Sequence, residues 1–330
     1  MKAVIWGYKY DDMRASWAPA MQTLVKGLQE LGYEVVLKGL TCNGLTDVRE
    51  FDPKTDNPCD VVVYNHCDIS HLKGNIVKAA KTLFFKPTIP DLKHFTIDEM
   101  GYGPYSAITY ERPKYELTNP EPFFSEKVAK WKAERTNKFS AELEAVSDLP
   151  EDYWLVLGQC VADETVTRHD FGDHRRKLLQ IVPEIRRWSS IPVVVKLHPY
   201  MDGTNATTTD YSEQVAKELT RDGVHVHYGK LDIHSMLPRA KAVFLANSGA
   251  GIEAMMHHKP IISWGCPEYH WITYNLRHLA DVRRAMDLRW FDREKQARWL
   301  AWYYGEYCVA SLEDVKARLR RLGLDKMARA

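Results

Sequence analysis

The sequence lacks the features that mark several large functional classes. Its 330 residues carry a formal net charge of +1, which gives no overall attraction to nucleic acid. Six scattered cysteines include no CxxC pair, so the pattern indicates neither a zinc site nor a disulfide framework. No apolar run approaches the roughly 20 residues that span a bilayer. Met1–Gly7 turns polar at once and lacks the apolar region of a signal peptide, so we expect a cytoplasmic protein.

The length and the pattern of apolar residues favour two α/β domains of about 150 residues each. Apolar residues at helical spacing predict a helix over Pro19–Leu31, and short β-branched runs predict strands on either side of it. Such alternation of strands and helices predicts a parallel, doubly wound sheet. In the first half the predicted elements are strands Lys2–Trp6, Glu34–Leu37, Cys59–Tyr64, Thr82–Phe85 and His94–Ile97, with a helix near Gly74–Lys81.

The second half repeats this alternation of strands and helices. It follows a stretch over Asn119–Val146 that is predicted to be charged and helical, and a predicted linker over Ser147–Glu151. Its predicted strands are Trp154–Gly158, Val193–Leu197, Val224–Tyr228, Ala242–Ala246 and Ile261–Trp264, and its predicted helices are His174–Trp188, Tyr211–Thr220, Asp232–Leu237, Ile252–His257 and Glu294–Tyr307. Ser311–Asp314 has the pattern of a capping box and predicts a final basic helix.

The stretch from Phe244 to Trp264 has the strongest functional signal. A short strand is followed by the small-residue turn Asn247–Gly251, a helix and a second strand. A glycine-containing turn that opens a helix between parallel strands offers backbone N–H groups and a positive dipole end to a phosphate. Glu253, one turn further along, is placed to accept both hydroxyls of a ribose. The alternative is an ordinary βαβ turn without a ligand.

A second candidate element is the β-branched run Ile191–Tyr200. Its composition predicts a buried strand, and Pro199 ends it, so that His198 lies at the carboxyl end of the strand. Ligands of open α/β sheets bind at that end. A histidine there can donate to a phosphate, although most of the other histidines are expected to be surface or packing residues.

Together these motifs resemble the capsule polysaccharide biosynthesis family, which includes bacterial Kdo transferases that use CMP-Kdo. The resemblance lies in Lys196-x-His198-Pro199, followed by Asn247–Ala254 and Lys259-Pro260. Three further stretches resemble motifs of the same family, namely Trp154–Gln159, Cys266–Thr273 and Glu99–Tyr102. Gly103–Ser106 stands where the family often has an arginine, which leaves the sugar and the acceptor open.

The resemblance implies a GT-B fold, in which two Rossmann-like domains enclose a cleft and a carboxyl-terminal helix crosses back. We expect an acceptor-side domain over residues 1–150, a donor domain over 151–310 and a terminal helix over 311–330 that packs on the first domain. The implied activity is transfer of a sugar from a nucleotide-sugar, CMP-Kdo-like or UDP-linked, to a saccharide hydroxyl. Because the sequence contains no Asp-x-Asp, we expect no metal and no other cofactor.

The resemblance also implies the residues of the site. The expected donor-binding residues are Gln159, Lys196, His198, Asn247, Ser248, Gly249 and Glu253. His198 is expected to neutralise the departing phosphate, while Asp98 and Glu99 face it across the cleft. One of these carboxylates attacks or orients the sugar and the other accepts the proton of the acceptor. A solvent-exposed acidic turn is the alternative. Weaker acceptor-side candidates are Asp11, Asp12 and Arg14, with Glu111 as a further carboxylate.

Two other function classes remain open. The first is a phage-type DNA glycosyltransferase that modifies a hydroxymethylated base, with phosphate contacts from the basic residues Lys73, Lys78, Lys81, Lys86 and Lys93. The second is a sugar-nucleotide epimerase or a non-catalytic binding module on the same fold. The aromatic residues Trp299, Trp302, Tyr303 and Tyr307 have helical spacing and are expected to be core residues rather than a ligand platform.

Overall fold

The chain forms two compact units in a computed structural model. One unit comprises Met1–Glu111, Asn137–Ser140 and Trp302–Ala330, and the other comprises Arg112–Thr136 and Ala141–Ala301. The final helices therefore belong to the first unit. The structure describes residues 1–7, 18–39, 59–65, 78–137, 143–160, 165–166, 173–198, 206–221, 223–227, 229 and 231–327.

The first unit contains a sheet with the strand order β2-β1-β3-β4-β5 among its described residues. The strands are β1 Lys2–Gly7, β2 Glu34–Gly39, β3 Cys59–Asn65, β4 Ala79–Pro87 and β5 Phe95–Asp98. All neighbours pair in parallel except β5, which runs antiparallel to β4. The prediction of a parallel sheet is thus correct for β1 to β4 and wrong for the edge strand.

The second unit contains a sheet with the order β11-β10-β9-β6-β7-β8, and every described pairing in it is parallel. Its strands are β6 Tyr153–Leu157, β7 Val193–Lys196, β8 His225–His227, β9 Ala240–Leu245, β10 Ile261–Ser263 and β11 Tyr274–Asn275. The central strands β6, β7 and β9 are apolar apart from Lys196 and Lys241, as expected for strands that are largely buried on both faces.

The described helices surround these sheets. They are α1 Ala18–Glu30, α2 Ala107–Tyr110, α3 Ala129–Ala133, α4 His174–Trp188, α5 Ala206–Arg221, α6 Ile233–Met236, α7 Ala250–Met256, α8 Asp281–Ala285, α9 Arg293–Trp302, α10 Leu312–Arg321 and α11 Leu324–Met327. Wider turns at Phe123–Val128 and Tyr303–Tyr307 have π-helical hydrogen bonding. Among the helices that the structure describes, none combines the length and the hydrophobicity that a membrane crossing requires.

The terminal helix α10 packs against α1 within the first unit. The two helices meet at Gly27, where an added Cβ would lie 2.4 Å from Cγ1 of Val315, so only glycine allows this approach. The predicted capping box is confirmed, because the Ser311 hydroxyl accepts from the Asp314 N–H and the Asp314 carboxylate accepts from the Ser311 N–H. Burial of Val315 and Leu319 then joins α10 to the core of the first sheet.

Most predicted elements are confirmed, and the helix over His174–Trp188 has the predicted bounds. Two predictions are wrong. The helix expected near Gly74–Lys81 overlaps β4, which already begins at Ala79 because that strand extends past the apolar run to pair with β3. The helix expected over Asn119–Val146 ends at Ala133, and Glu144 instead forms an isolated parallel bridge with Leu231. Residues 74–77 lie outside the described residues.

Candidate functional site

Three neighbouring strands of the second sheet place predicted donor-binding residues along one edge of the sheet, namely the edge at which the strands end. Gln159 follows β6, His198 follows β7, and Asn247 follows β9. These strands are adjacent and parallel, in the order β9-β6-β7, so their carboxyl ends meet. Side chains from three separate motifs are thereby brought together where open α/β sheets bind ligands.

Gln159 and Asn247 are bound to each other at this edge. The Gln159 side-chain amide donates to Oδ1 of Asn247 at 2.8 Å, and its carbonyl accepts from the Asn247 backbone N–H at 3.0 Å. Asn247 Nδ2 in turn donates to the Thr165 carbonyl at 2.7 Å. Both amides are buried, so these bonds satisfy groups that would otherwise be costly to bury. The pair holds the loop after β9 against the loop after β6.

Two histidines support the same edge. The Gln159 backbone N–H donates to Nε2 of His174 at 2.9 Å, and the His174 ring stacks on Trp264 with 5.7 Å between centroids. His198 is partly exposed, and its Nδ1 lies 3.3 Å from Sγ of Cys160. His198 is thus oriented by a neighbour while one side of the residue faces solvent. Sequence reasoning did not identify the roles of His174 and Cys160, because neither belongs to a recognisable motif.

The turn before α7 satisfies its own first N–H groups. The Ala250 N–H donates to Oγ of Ser248, the Gly251 N–H donates to the Ser248 carbonyl, and the Ile252 N–H donates to the Gly249 carbonyl. These three N–H groups are therefore not the ones that a phosphate would find open, and the expected phosphate contact of the turn stays a prediction for the N–H groups of Ser248 and Gly249. Oγ of Ser248 accepts here, which leaves its own O–H to donate to a ligand.

Tyr269 also holds the turn before α7 in place. Its hydroxyl donates to the Ser248 carbonyl and presses against Gly251, where an added Cβ would lie 2.1 Å from the hydroxyl oxygen. Complete burial, together with the nearby carboxylates of Glu268 and Glu253, raises the pKa of Tyr269 well above its usual value. The hydroxyl therefore stays protonated and remains a donor. This contact explains why the motif needs a glycine at position 251.

Lys196 and Glu253, both expected to touch the nucleotide, are largely buried. Lys196 is 7% exposed at the end of β7, on the sheet face opposite Val195 and Leu197, and Glu253 is 6% exposed on α7. Both lie close to the edge that Gln159, His198 and Asn247 form. Gly249, in contrast, is exposed at the tip of the turn.

The first unit holds Asp98 in a closed set of hydrogen bonds. Its carboxylate accepts from the backbone N–H groups of Met100 at 2.7 Å, Gly101 at 3.1 Å and Ala107 at 3.2 Å, and from the Tyr307 hydroxyl at 2.7 Å. The residue is 0% exposed. A carboxylate with four such donors organises the loop between β5 and α2 and does not reach a substrate. This differs from the catalytic contact expected of Asp98.

The neighbouring Glu99 is placed differently. Its side chain is 50% exposed and forms an ion pair with Lys81 on β4. Asp98 is the last residue of β5, and Glu99 is the first residue of the loop that follows. The acidic pair expected from the sequence therefore separates into a buried carboxylate and an accessible one. Asp11, Asp12 and Arg14 lie outside the described residues.

The comparisons with known proteins agree with these motifs. The model of the capsule polysaccharide biosynthesis protein family matches residues 93–297, more than half of the chain. The search of curated proteins found no match.

Two solved structures from Thermosulfurimonas dismutans are similar over most of the chain. The KpsC beta Kdo 2,7 transferase is 13% identical with a TM-score of 0.54, covering 99% of this chain and 99% of that one. The KpsC beta Kdo 2,4 transferase is 14% identical with a TM-score of 0.52, covering 85% and 89%. Identities this low show the shared fold, and the fold class predicted from the sequence is confirmed. The chain belongs to the capsule polysaccharide biosynthesis family and is a glycosyltransferase of the GT-B fold class.

Proposed function

We propose that this glycosyltransferase transfers a sugar from a CMP- or UDP-linked donor to a saccharide hydroxyl. The observation that carries the proposal is the convergence of Gln159, His198 and Asn247 at the carboxyl ends of three adjacent parallel strands, in a chain of the capsule family. His198 donates to the phosphate, and the Ser248 hydroxyl supplies a second donor. Glu253 accepts the ribose hydroxyls.

In this proposal the catalytic carboxylate is Glu99. The bond between the anomeric carbon and the donor phosphate breaks, a bond to the acceptor oxygen forms, and the nucleotide leaves with the negative charge. Glu99 either accepts the proton of the acceptor hydroxyl as that oxygen attacks the anomeric carbon, or attacks the carbon itself. In the second case the acceptor oxygen then displaces Glu99, and its proton passes to the phosphate of the departed nucleotide. Lys196 and His198 stabilise the departing phosphate, so the step needs no metal ion. Asp98 acts through the loop that it organises and is a positioning residue.

The alternative of a DNA substrate finds little support among the lysines on which it rests. Lys81 pairs with Glu99, and Nζ of Lys86 lies 4.2 Å from the centroid of the Tyr102 ring. Both side chains are engaged within their own unit. Lys78 and Lys93 are exposed, and Lys73 lies outside the described residues. Lysines that are held in local contacts are poor candidates for a phosphate-binding surface, so we favour a saccharide acceptor.

The test is to incubate the full chain with a panel of CMP- and UDP-sugars, with and without saccharide acceptors, and to measure released nucleotide. We expect acceptor-dependent release of one nucleotide. Glu99→Gln should lower the transfer rate at least a hundredfold while nucleotide affinity stays within twofold, since a neutral amide can neither attack nor accept a proton. Glu34→Gln removes an exposed carboxylate of the same unit and is the matched control.

Three outcomes would contradict the proposal. Formation of an isomeric nucleotide-sugar without an acceptor would indicate an epimerase. Transfer to hydroxymethylated DNA but to no saccharide would indicate DNA modification. Near-wild-type turnover in Glu99→Gln would move the search for the catalytic carboxylate to Glu111, Asp11 and Asp12.

A further inference from the structure

The second unit contains a pocket of about 320 Å³ that none of the proposed donor-binding residues lines. This volume is within the range of small-molecule sites. The pocket lies between the segment before α3 and the start of α9. Its lining residues are Pro120, Glu121, Phe124, His258, Arg293, Glu294 and Ala297.

The pocket lies at the edge of the sheet opposite the donor-binding residues. Helix α7 begins beside Ser248 at the carboxyl ends of the strands and ends at Met256, before β10 enters the sheet at Ile261. His258 is in this returning segment, so it lies near the amino ends of the parallel strands. A ligand in the pocket is therefore separate from a nucleotide bound at His198.

His258 is held in an unusual conformation at the pocket wall. Its φ is +51°, a left-handed conformation that costs energy for a residue with a side chain. Its ring stacks on Phe124 with 4.7 Å between centroids and an interplanar angle of 13°. Nδ1 of the ring is buried and makes no hydrogen bond within the described part of the chain. The two stacked rings thus form a flat part of the pocket wall, and Nδ1 of His258 has no hydrogen-bond partner among the described residues.

Arg293 places a positive charge beside this wall, and Glu121 and Glu294 are the carboxylates of the lining. Burial and the cations of Arg293 and Lys132 lower the pKa of His258 to about 4, so the ring is neutral at pH 7. Arg293 forms no hydrogen bond or ion pair with any residue that the structure describes. Of the two carboxylates adjacent to it in sequence, Glu294 pairs with Arg298 and Asp292 accepts from the Lys295 N–H. A guanidinium without a partner matches a carboxylate, which it binds through two parallel hydrogen bonds.

We propose that this pocket is a second saccharide-binding site and that it takes a sugar bearing a carboxylate. Arg293 binds the carboxylate of the sugar, and the carboxylate of Glu121 accepts hydrogen bonds from ring hydroxyls. Phe124 and Ala297 contact the C–H groups of the ring. A ligand with a carboxylate, several hydroxyls and an apolar ring face satisfies all of these groups, whereas a neutral sugar leaves Arg293 unpaired. This proposed site does not depend on which nucleotide-sugar is the donor.

The test is saturation-transfer NMR and titration calorimetry on the full chain, with glucuronate as the acidic probe and glucose as its neutral counterpart. We expect glucuronate to bind at least tenfold more tightly than glucose. Arg293→Ala should weaken glucuronate binding at least tenfold. His258→Gly should do the same, and it suits the local backbone because glycine adopts a positive φ freely. Arg289→Ala removes an exposed arginine of the same unit outside the pocket and should bind as the wild type does.

Saturating CMP and UDP should leave glucuronate binding unchanged, since the donor-binding residues lie at the opposite edge of the sheet. Absence of glucuronate binding would overturn the proposal, as would equal binding of glucose. Equal affinity in Arg293→Ala and Arg289→Ala would also overturn it, because the guanidinium would then have no role. Competition between the nucleotide and glucuronate would place the saccharide at the donor site instead.

Discussion

The hydroxyl of Tyr307 donates a 2.7 Å hydrogen bond to Oδ2 of Asp98, across 209 positions of the sequence. The bond joins the end of the chain to the loop that presents Glu99. Oδ1 of Asp98 at the same time accepts from the backbone of Met100 and Gly101. The accessible carboxylate of Glu99 thus depends on a buried carboxylate beside it, and that buried group depends on a tyrosine of the terminal segment.

Removing donors from Asp98 should loosen this loop. Tyr307→Phe leaves one carboxylate oxygen without its hydroxyl partner, and we expect the free energy of unfolding to fall by about 1–3 kcal/mol. Asp98→Asn should cost more, because the new amide group faces backbone N–H donors. Urea unfolding gives the free energies, and initial rates give the transfer activity. We expect lower turnover in both variants with nucleotide affinity unchanged. A fully stable Asp98→Asn protein would contradict this role.

Much of the fold was predictable because strands and helices leave local signals. The run Val193–Lys196 and the helical spacing in α4 identify their elements without tertiary information. The antiparallel direction of β5 was not predictable, since the residue pattern of a four-residue strand does not indicate which way it runs relative to its neighbour. Pairing of β4 with β3 extends the strand to Ala79, and no local pattern reports such pairing.

The site was predictable only in part for the same reason. Motifs located Gln159, His198 and Asn247 at strand ends, and the structure brings those strands together. The division between Asp98 and Glu99 depends on Tyr307, a contact between distant parts of the sequence. The pairing of the first N–H groups of α7 depends on Ser248, whose side chain and carbonyl both accept from the turn.

Gly251→Ala should destabilise the donor-site turn. The added methyl group would lie 2.1 Å from the hydroxyl oxygen of Tyr269, which is completely buried and has no room to move. We expect a loss of about 1–3 kcal/mol in the free energy of unfolding, the usual cost of overpacking. The double variant with Tyr269→Phe removes the oxygen and should recover part of the loss. If Gly251→Ala is as stable as the wild type, the close contact does not exist.

Gln159→Leu should separate the loops that follow β6 and β9. The substitution leaves the Asn247 N–H and Oδ1 buried without their partners, at a cost of roughly 1–3 kcal/mol for each group. We expect a clear fall in the urea midpoint and weaker nucleotide binding. Gln29→Leu, on the exposed face of α1, is the matched control and should change stability little. Equal stability of the two variants would show that the amide pair does not hold the edge.

The free energy of unfolding should decrease as the pH falls, because of the histidine pair His234 and His257, whose ring nitrogens lie 3.0 Å apart. Burial, with Lys132, His234, Lys259 and His258 nearby, lowers the pKa of His257 to about 3. The unfolded state therefore binds the extra proton between about pH 6.5 and pH 3, so this contribution is complete above pH 6.5 and decreases below it.

His257→Gln removes the titrating group and keeps a donor for His234. We therefore expect a smaller difference between the free energies of unfolding at pH 7 and pH 5 in this variant than in the wild type, as measured by urea titration. An identical pH dependence of the two proteins would show that His257 does not contribute to it.

Nucleotide binding to the second unit tests the central claim most directly. Thermal unfolding with increasing CMP or UDP should show a rising midpoint, because a ligand that binds only the folded state stabilises it in proportion to the logarithm of its concentration over Kd. His198→Ala and Glu253→Gln should each weaken that binding at least tenfold, while His278→Ala, an exposed histidine of the same unit, should bind as the wild type does. If neither nucleotide raises the midpoint, or if all three variants bind alike, the donor site is not at this edge of the sheet.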